Sequence, residues 1–287
     1  MLDNQWDLPK VKLQLFAAGY CKHPEWVTIR GGKLGTVSIP AIFALIEHPV
    51  VGYILWDTGY SERFLKATDR MPNRLYRLIT PVSYRSGDSA VKQLQAQGIA
   101  PEDIKIVILS HLHADHIAGL RDFPKATFMY VSEAYESVKR LRGLAAVRRA
   151  FLPELLPSDF EARTSLIMRD RRVGLPADAP FPYVLDVLGD GSLLAVDLPG
   201  HADGQIGLFL STAHSDYFLC ADAAWSREAV QENRPPHALA GVIMPNKEQY
   251  KRSFERIVNL HVKCPQLRII PSHCPEVWSW IRGGVEL

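Results

Sequence analysis

Apolar residues in this chain fall into short unbroken runs separated by turn-forming positions, and strand-like and helix-like spacings alternate along it. Residues 11–17, 37–47 and 51–56 read as strands, the last two joined by a turn at His48-Pro49. Residues 104–109 carry few polar positions to mark an exposed face, which predicts a strand buried on both sides. Further strands are expected at 126–131, 193–198, 206–210, 217–220 and 267–270. Helical spacing predicts helices over 89–98, closed by Gly98, and over 116–120, 132–151 and 246–261, the last strongly amphipathic. Residues 153–182 follow neither period and are rich in proline, so 132–182 reads as a helical and irregular insertion or lid. Strands interleaved with helices place the chain in the α/β class. There is also a faint internal echo: the hairpins at 42–57 and 207–222 each end in an aspartate.

Composition narrows the picture without changing it. The 287 residues are 47% apolar and 22% charged, enough for a large core. The residues of chemical interest run from the first quarter to the last few positions, so one domain spanning 1–287 is expected. A net charge of +2 with the signs well mixed argues against a nucleic-acid partner. The four cysteines are far apart and form no CxxC pair, so a disulfide framework is not expected. The N-terminus lacks the charged start and apolar stretch of a secretory signal. No apolar run approaches the ~20 residues needed to span a bilayer. The expectation is a reduced, cytoplasmic protein, acting on a small molecule away from membranes, with a homodimer left open.

Candidate chemistry is concentrated at Ser110-His111-Leu112-His113-Ala114-Asp115-His116, directly after the strand at 104–109. Histidine and carboxylate suit zinc and similar divalent ions. Residues i and i+2 of an extended segment point the same way, so His111 and His113 can reach one ion together. A turn after His113 lets Asp115 and His116 face a second. His201, Asp222 and His273 each lie just past a predicted strand end, where ligands gathered at one sheet edge are expected. Asp57, in the run Trp56-Asp57-Thr58-Gly59, is either an orienting residue or part of an ordinary turn. His23, His48, His214, His237 and His261 fit no ligand pattern.

As an ordered set, Asp57, His111-x-His113-x-Asp115-His116, His201, Asp222 and His273 resembles the metallo-β-lactamase superfamily over nearly the whole chain. The resemblance implies a four-layer αβ/βα sandwich with two divalent metal ions in a cleft between the sheet edges. Zinc is the first expectation, and manganese, iron and cobalt suit the same ligands. By the same resemblance, His111, His113 and His201 hold one ion, Asp115, His116 and His273 the other, Asp222 bridges them, and Asp57 orients a ligand histidine.

Within the superfamily, a bridging aspartate at Asp222 separates the chain from true β-lactamases. The layout of residues 13–59, and of 98–104 leading into the metal motif, is similar to the N-acyl-homoserine lactonase group. The short stretch after His273 leaves no room for the C-terminal helices of glyoxalase II-like thioesterases. The resemblance implies attack on a lactone carbonyl by a metal-bridging hydroxide, with Asp115 and Asp222 as catalytic residues and Asp115 passing a proton to the leaving alkoxide. Trp225 stands where that group carries a tyrosine three residues after the bridging aspartate. Another lactone, a carboxylic ester or a thioester, and less so a phosphodiester, therefore remain alternatives, with a non-catalytic binding protein the weakest. Trp225, Phe43, Tyr60 and Phe64 are the candidate substrate-pocket residues, with Trp26 and Tyr84 beside them.

Overall fold

A computed structural model describes residues 9–242 and 244–284 of the chain. It begins with a long strand β1 (Lys12–Pro24), a turn of helix α1 (Glu25–Thr28) and the hairpin β2 (Thr36–His48) and β3 (Gly52–Trp56). Helices α2 (Glu62–Ala67) and α3 (Arg74–Ile79), strand β4 (Val82–Ser83) and helix α4 (Ala90–Ala96) follow. Next come β5 (Ile104–Ile108), α5 (Ala114–Ile117), β6 (Thr127–Tyr130), α6 (Ser132–Glu136), α7 (Gly143–Arg148), β7 (Thr164–Leu166) and β8 (Arg172–Gly174). The second half continues through β9 (Tyr183–Asp186), β10 (Leu194–Asp197), β11 (Ile206–Ser211), β12 (Asp216–Ala221), α8 (Arg227–Gln231), α9 (Lys247–Lys263), β13 (Arg268–Pro271) and α10 (Pro275–Gly283).

Two sheets result, one ordered β4-β1-β2-β3-β5-β6-β7 and the other β13-β12-β11-β10-β9-β8. Their packing follows from the two-residue period of the strands. In β12, Tyr217, Leu219 and Ala221 join the core shared with the first sheet, while Phe218 and Cys220 face a separate outer cluster. That cluster is closed by α9, whose Tyr250, Phe254, Ile257 and Leu260 recur at helical spacing on one buried face. Asn246 caps this helix by accepting from the Gln249 amide at 3.0 Å. On the other side, Leu94 of α4 and Ile117 of α5 pack onto the first sheet. Helices thus cover the outer faces of two sheets packed face to face.

The sequence pattern located most of these elements to within a few residues, but 132–151 is not one helix. It breaks into α6 and α7, with Gly143 in the left-handed region (φ 56). Arg142 donates to the carbonyls of Lys139 and Leu141 at the break. The irregular stretch 153–182 passes from one sheet to the other: β7 pairs parallel with β6, and β8 antiparallel with β9. Among the described residues, no helix is long and apolar enough to cross a membrane.

The strand ends that carry the candidate ligands meet through a few backbone bonds. The Ile206 amide donates to the Ser110 carbonyl at 3.0 Å, and the Ile42 amide to the Ser272 carbonyl at 2.9 Å. Gly200, in the loop after β10, has φ 122, and a Cβ there would lie 2.0 Å from the Tyr250 nitrogen of α9. No side chain fits that approach. Gly200→Ala is expected to cost at least about 2 kcal/mol through strain and overpacking. Thermal unfolding checks this, and an unchanged midpoint would contradict the packing described.

Candidate metal centre

The first ligand segment is held from both sides as it leaves β5. The Leu109 amide donates to the Met129 carbonyl of β6, and the Ala114 amide to Ala150 after α7, both at 2.8 Å. His113, which precedes α5, has extended backbone, and the rings of His111 and His113 lie together with centroids 4.4 Å apart. The turn into α5 then swings Asp115 and His116 alongside.

Ligand-type atoms converge in two groups, His111, His113, His201 and Asp222, and Asp115, His116 and His273; the atoms of each group lie within 4.8 Å of one another. Asp222 lies between the groups. Its Oδ2 is 3.0 Å from His201 Nε2, 2.9 Å from His273 Nε2 and 3.9 Å from His111 Nε2, and its Oδ1 is 3.4 Å from His116 Nε2. Asp115 Oδ2 is 3.4 Å from His273 Nε2 and 3.7 Å from His116 Nε2. All seven side chains are buried.

The far sides of three rings are fixed by neighbours. His116 Nδ1 lies 2.8 Å from Asp57 Oδ2, His273 Nδ1 2.7 Å from the Pro40 carbonyl, and His111 Nδ1 3.0 Å from Ser110 Oγ. A proton held on Nδ1 by an acceptor leaves the Nε2 lone pair facing the site. Asp57 is itself tied down, accepting from the Ser110 amide at 2.9 Å and from Ser110 Oγ at 2.7 Å. Sequence reasoning passed over Ser110, whose hydroxyl links Asp57 to His111 and lies 3.3 Å from His116 Nδ1. Its position next to the first histidine was the available signal.

Charge is unevenly shared. Burial, then the neighbouring histidines, holds His111 and His113 well below the usual imidazole range, so both are neutral. Burial also opposes charge on His116, but Asp222, Asp57 and Asp115 outweigh it and raise its pKa. Against the same burial penalty, Asp222 and then Asp115 push His273 up to about 9. Burial would raise Asp222, yet His273, His116 and His201 keep it well below the carboxylate range. A cation bound at these atoms would displace any proton they carry.

These residues fit a divalent ion. His111 Nε2, His116 Nε2 and Asp222 Oδ1 are buried with no hydrogen-bond partner, although the last two lie 3.4 Å apart. Buried lone pairs left unmatched are costly unless a cation meets them. Nitrogen and carboxylate donors are those zinc and its neighbours take.

Five of the seven residues, His113, Asp115, His201, Asp222 and His273, line a cleft of about 350 Å³ together with Cys21, His23, Tyr60, Tyr76 and Trp225. Val27, Ile39, Ile79, Val147 and Leu239 make much of its remaining lining apolar. Two expected pocket residues lie elsewhere. Phe43 is fully buried and stacks on its cross-strand partner Phe16 at 5.0 Å, in the interior of the first sheet. Phe64, also fully buried, sits behind the cleft against Tyr60 and Tyr76. Trp26 packs on His237, and neither it nor Tyr84 lines the cleft. The Trp225 ring stands edge-on to His201 at 6.1 Å, and its Nε1 is shielded without a partner. His23, set aside in the sequence reading, faces the cleft with Cys21 from the same side of β1.

The family model of the metallo-beta-lactamase superfamily matches residues 44–273. The chain belongs to this superfamily. As a metallo-β-lactamase relative, it is 29% identical over 262 residues to the N-acyl homoserine lactonase AttM of Azorhizobium caulinodans, covering 88% of each chain. Its fold is similar to that of an N-acyl homoserine lactone hydrolase solved with the product N-hexanoyl-L-homoserine at its catalytic metal center (TM-score 0.68, 21% identity, 94% of this chain and 96% of that one). It is also similar to AidC, described as a dizinc quorum-quenching lactonase (TM-score 0.63, 16% identity, 94% and 89% covered). Superfamily and donor set together imply divalent metal ions in a metal-dependent hydrolase.

Asp57→Asn replaces an acceptor at His116 Nδ1 with a group that can donate. Metal affinity is expected to fall about 10–100-fold with the fold retained. Competition with a chelator measures this; unchanged affinity would show that Asp57 does not orient His116.

Proposed function

We propose that this protein opens the ring of N-acyl-homoserine lactones using two divalent ions, zinc in the first instance, with manganese, iron and cobalt also suited to the donors. One observation supports the reading: two ligand groups lie next to each other, with Asp222 Oδ2 2.9 Å from His273 Nε2, at a cleft whose other lining is largely apolar. A polar floor suits the lactone head, and the wall formed by Ile39, Ile79 and Leu239 suits an acyl chain. The lactonase relatives and the solved lactonase with a homoserine product at its metal center support the same substrate class.

His111, His113 and His201 would hold one ion, Asp115, His116 and His273 the other, and Asp222 both. Bound there, such ions polarise a carbonyl and lower the pKa of a water toward neutrality. Asp115, which lines the cleft beside His273, would carry a proton to the ring oxygen as the acyl carbon–oxygen bond breaks. The product is the open hydroxy acid. Trp225 and Tyr60 line the cleft beside these groups. A second reading, hydrolysis of another lactone, a carboxylic ester or a thioester, is favoured by Trp225. Its shielded indole N–H does not offer the hydrogen bond that a tyrosine would.

Acid release from short- and long-chain acyl-homoserine lactones, followed with a pH indicator on zinc-loaded protein, tests the proposal. Activity is expected to vanish with a chelator. Asp222→Ala, which takes a ligand from both groups, is expected to lose bound metal and to slow turnover by about 100-fold or more. No release from metal-loaded protein would remove the acyl-homoserine lactone assignment. A variant that keeps both ions and near-normal turnover would remove the dinuclear one.

A further inference from the structure

Two short helices beside the cleft carry the same surface pattern. On α3, Arg74 and Leu78 stand one turn apart at i and i+4, and on α7 Leu144 and Arg148 do the same, all four exposed. Ile79 of α3 and Val147 of α7 line the cleft itself. The approaches to the two helices adjoin, since a Cβ on Gly143 would lie 3.7 Å from Pro72 Cγ. Met71, Leu78, Ile79, Leu144 and Leu239 are 53–67% exposed, and Leu239 lines the cleft from the turn at 238–242. Exposed apolar side chains are ordinary when scattered singly, but gathered at the rim of one opening they mark a contact surface.

The charge around this rim has one sign. Residues 70–80 and 139–149 together hold eight arginines and lysines and no aspartate or glutamate. Asp69, Glu136 and Asp203 pair with Arg77, Lys139 and Arg149, and Arg142 donates to backbone carbonyls. Arg70, Arg74, Arg140 and Arg148 are exposed and make no ion pair among the described residues. Glu154, which meets Asn73 at 3.3 Å, leaves the balance positive. The chain's net charge of +2 averages this asymmetry away. A second copy docking by the same patch would bring the same cations face to face, and like charges oppose that pairing.

An anionic lipid surface matches both features. Leucine side chains enter the boundary of the acyl region, while arginine stems lie along it and carry their guanidinium groups to the phosphates. We propose that the rim formed by α3, α7 and the turn at 238–242 docks on an anionic bilayer, with the mouth of the cleft facing the lipid. The docking goes beyond the lactonase reading and does not depend on which bond the site hydrolyses.

Flotation of the metal-loaded full chain with vesicles tests this, comparing phosphatidylglycerol mixed with phosphatidylcholine against phosphatidylcholine alone. Binding is expected on the anionic vesicles, and at least about 10-fold weaker on the neutral ones or in about 0.5 M salt. Arg74→Glu with Arg148→Glu is expected to weaken it by at least about 10-fold. Leu78→Ser with Leu144→Ser is expected to weaken it about 10-fold with the charge unchanged. Lys12→Glu with Lys105→Glu, the same charge change on exposed residues at the opening ends of β1 and β5, is expected to keep most of the affinity. Thermal unfolding confirms the fold of each variant. Absence of binding overturns the proposal. So does an equal loss in the Lys12 and Lys105 variant, or indifference to the leucines, because either shows a general attraction of cations to the vesicle. A dimer in sedimentation that Leu78→Ser with Leu144→Ser dissolves also overturns it, since a second copy then covers the rim.

Discussion

A single buried carboxylate sets the terms for the rest of the molecule. Asp222 is 2% exposed, and an anion so far from water is stable only with cationic or strongly donating neighbours. Those neighbours come from both halves of the chain: His111 from the loop after β5, His116 from α5, His201 from the loop after β10, and His273 from beyond β13. Satisfying Asp222 therefore requires the ends of strands in two different sheets to meet at one point. The shared core between the sheets, and the short bonds from Ile206 to Ser110 and from Ile42 to Ser272, serve that requirement.

The two hairpins deliver their aspartates by a similar device. Asp57 itself (φ 57) and Ala221, just before Asp222 (φ 48), adopt the left-handed conformation that non-glycine residues avoid. Such residues persist where the surroundings over-determine them. At Asp57 those surroundings are visible: its amide donates to the Ile108 carbonyl, and its side chain is held by Ser110 and His116. The echo between the hairpins in the sequence thus has a counterpart in the backbone.

Much of this was legible in the sequence because it depends on period and position along the chain. Short apolar runs marked β11 and β12, helical spacing marked α9, and the seven histidine and aspartate positions just past strand ends are brought together. What was not legible depends on which face of an element meets which neighbour. Phe43 lies on a strand buried on both sides, so nothing in the local pattern shows that its ring meets Phe16 rather than the cleft. Cys21 and His23 reach the cleft because β1 changes register between Ala17 and Tyr20, a bend without a clear periodic signature. Tyr76 belongs to a six-residue helix too short to announce itself by spacing. The break between α6 and α7 turns on the one left-handed glycine at 143, against otherwise good helix formers.

The bond between His273 Nδ1 and the Pro40 carbonyl spans 233 residues of chain. It ties an imidazole near one extremity to a strand near the other, next to the equally remote bond between Ile42 and Ser272. During synthesis, β2 would leave the ribosome long before its partner exists. Closing so long a loop carries an entropic cost that local structure cannot offset. An ion gripping His273 would act as a late clasp across the two extremities, so holding metal and holding the ends of the chain together would be one event.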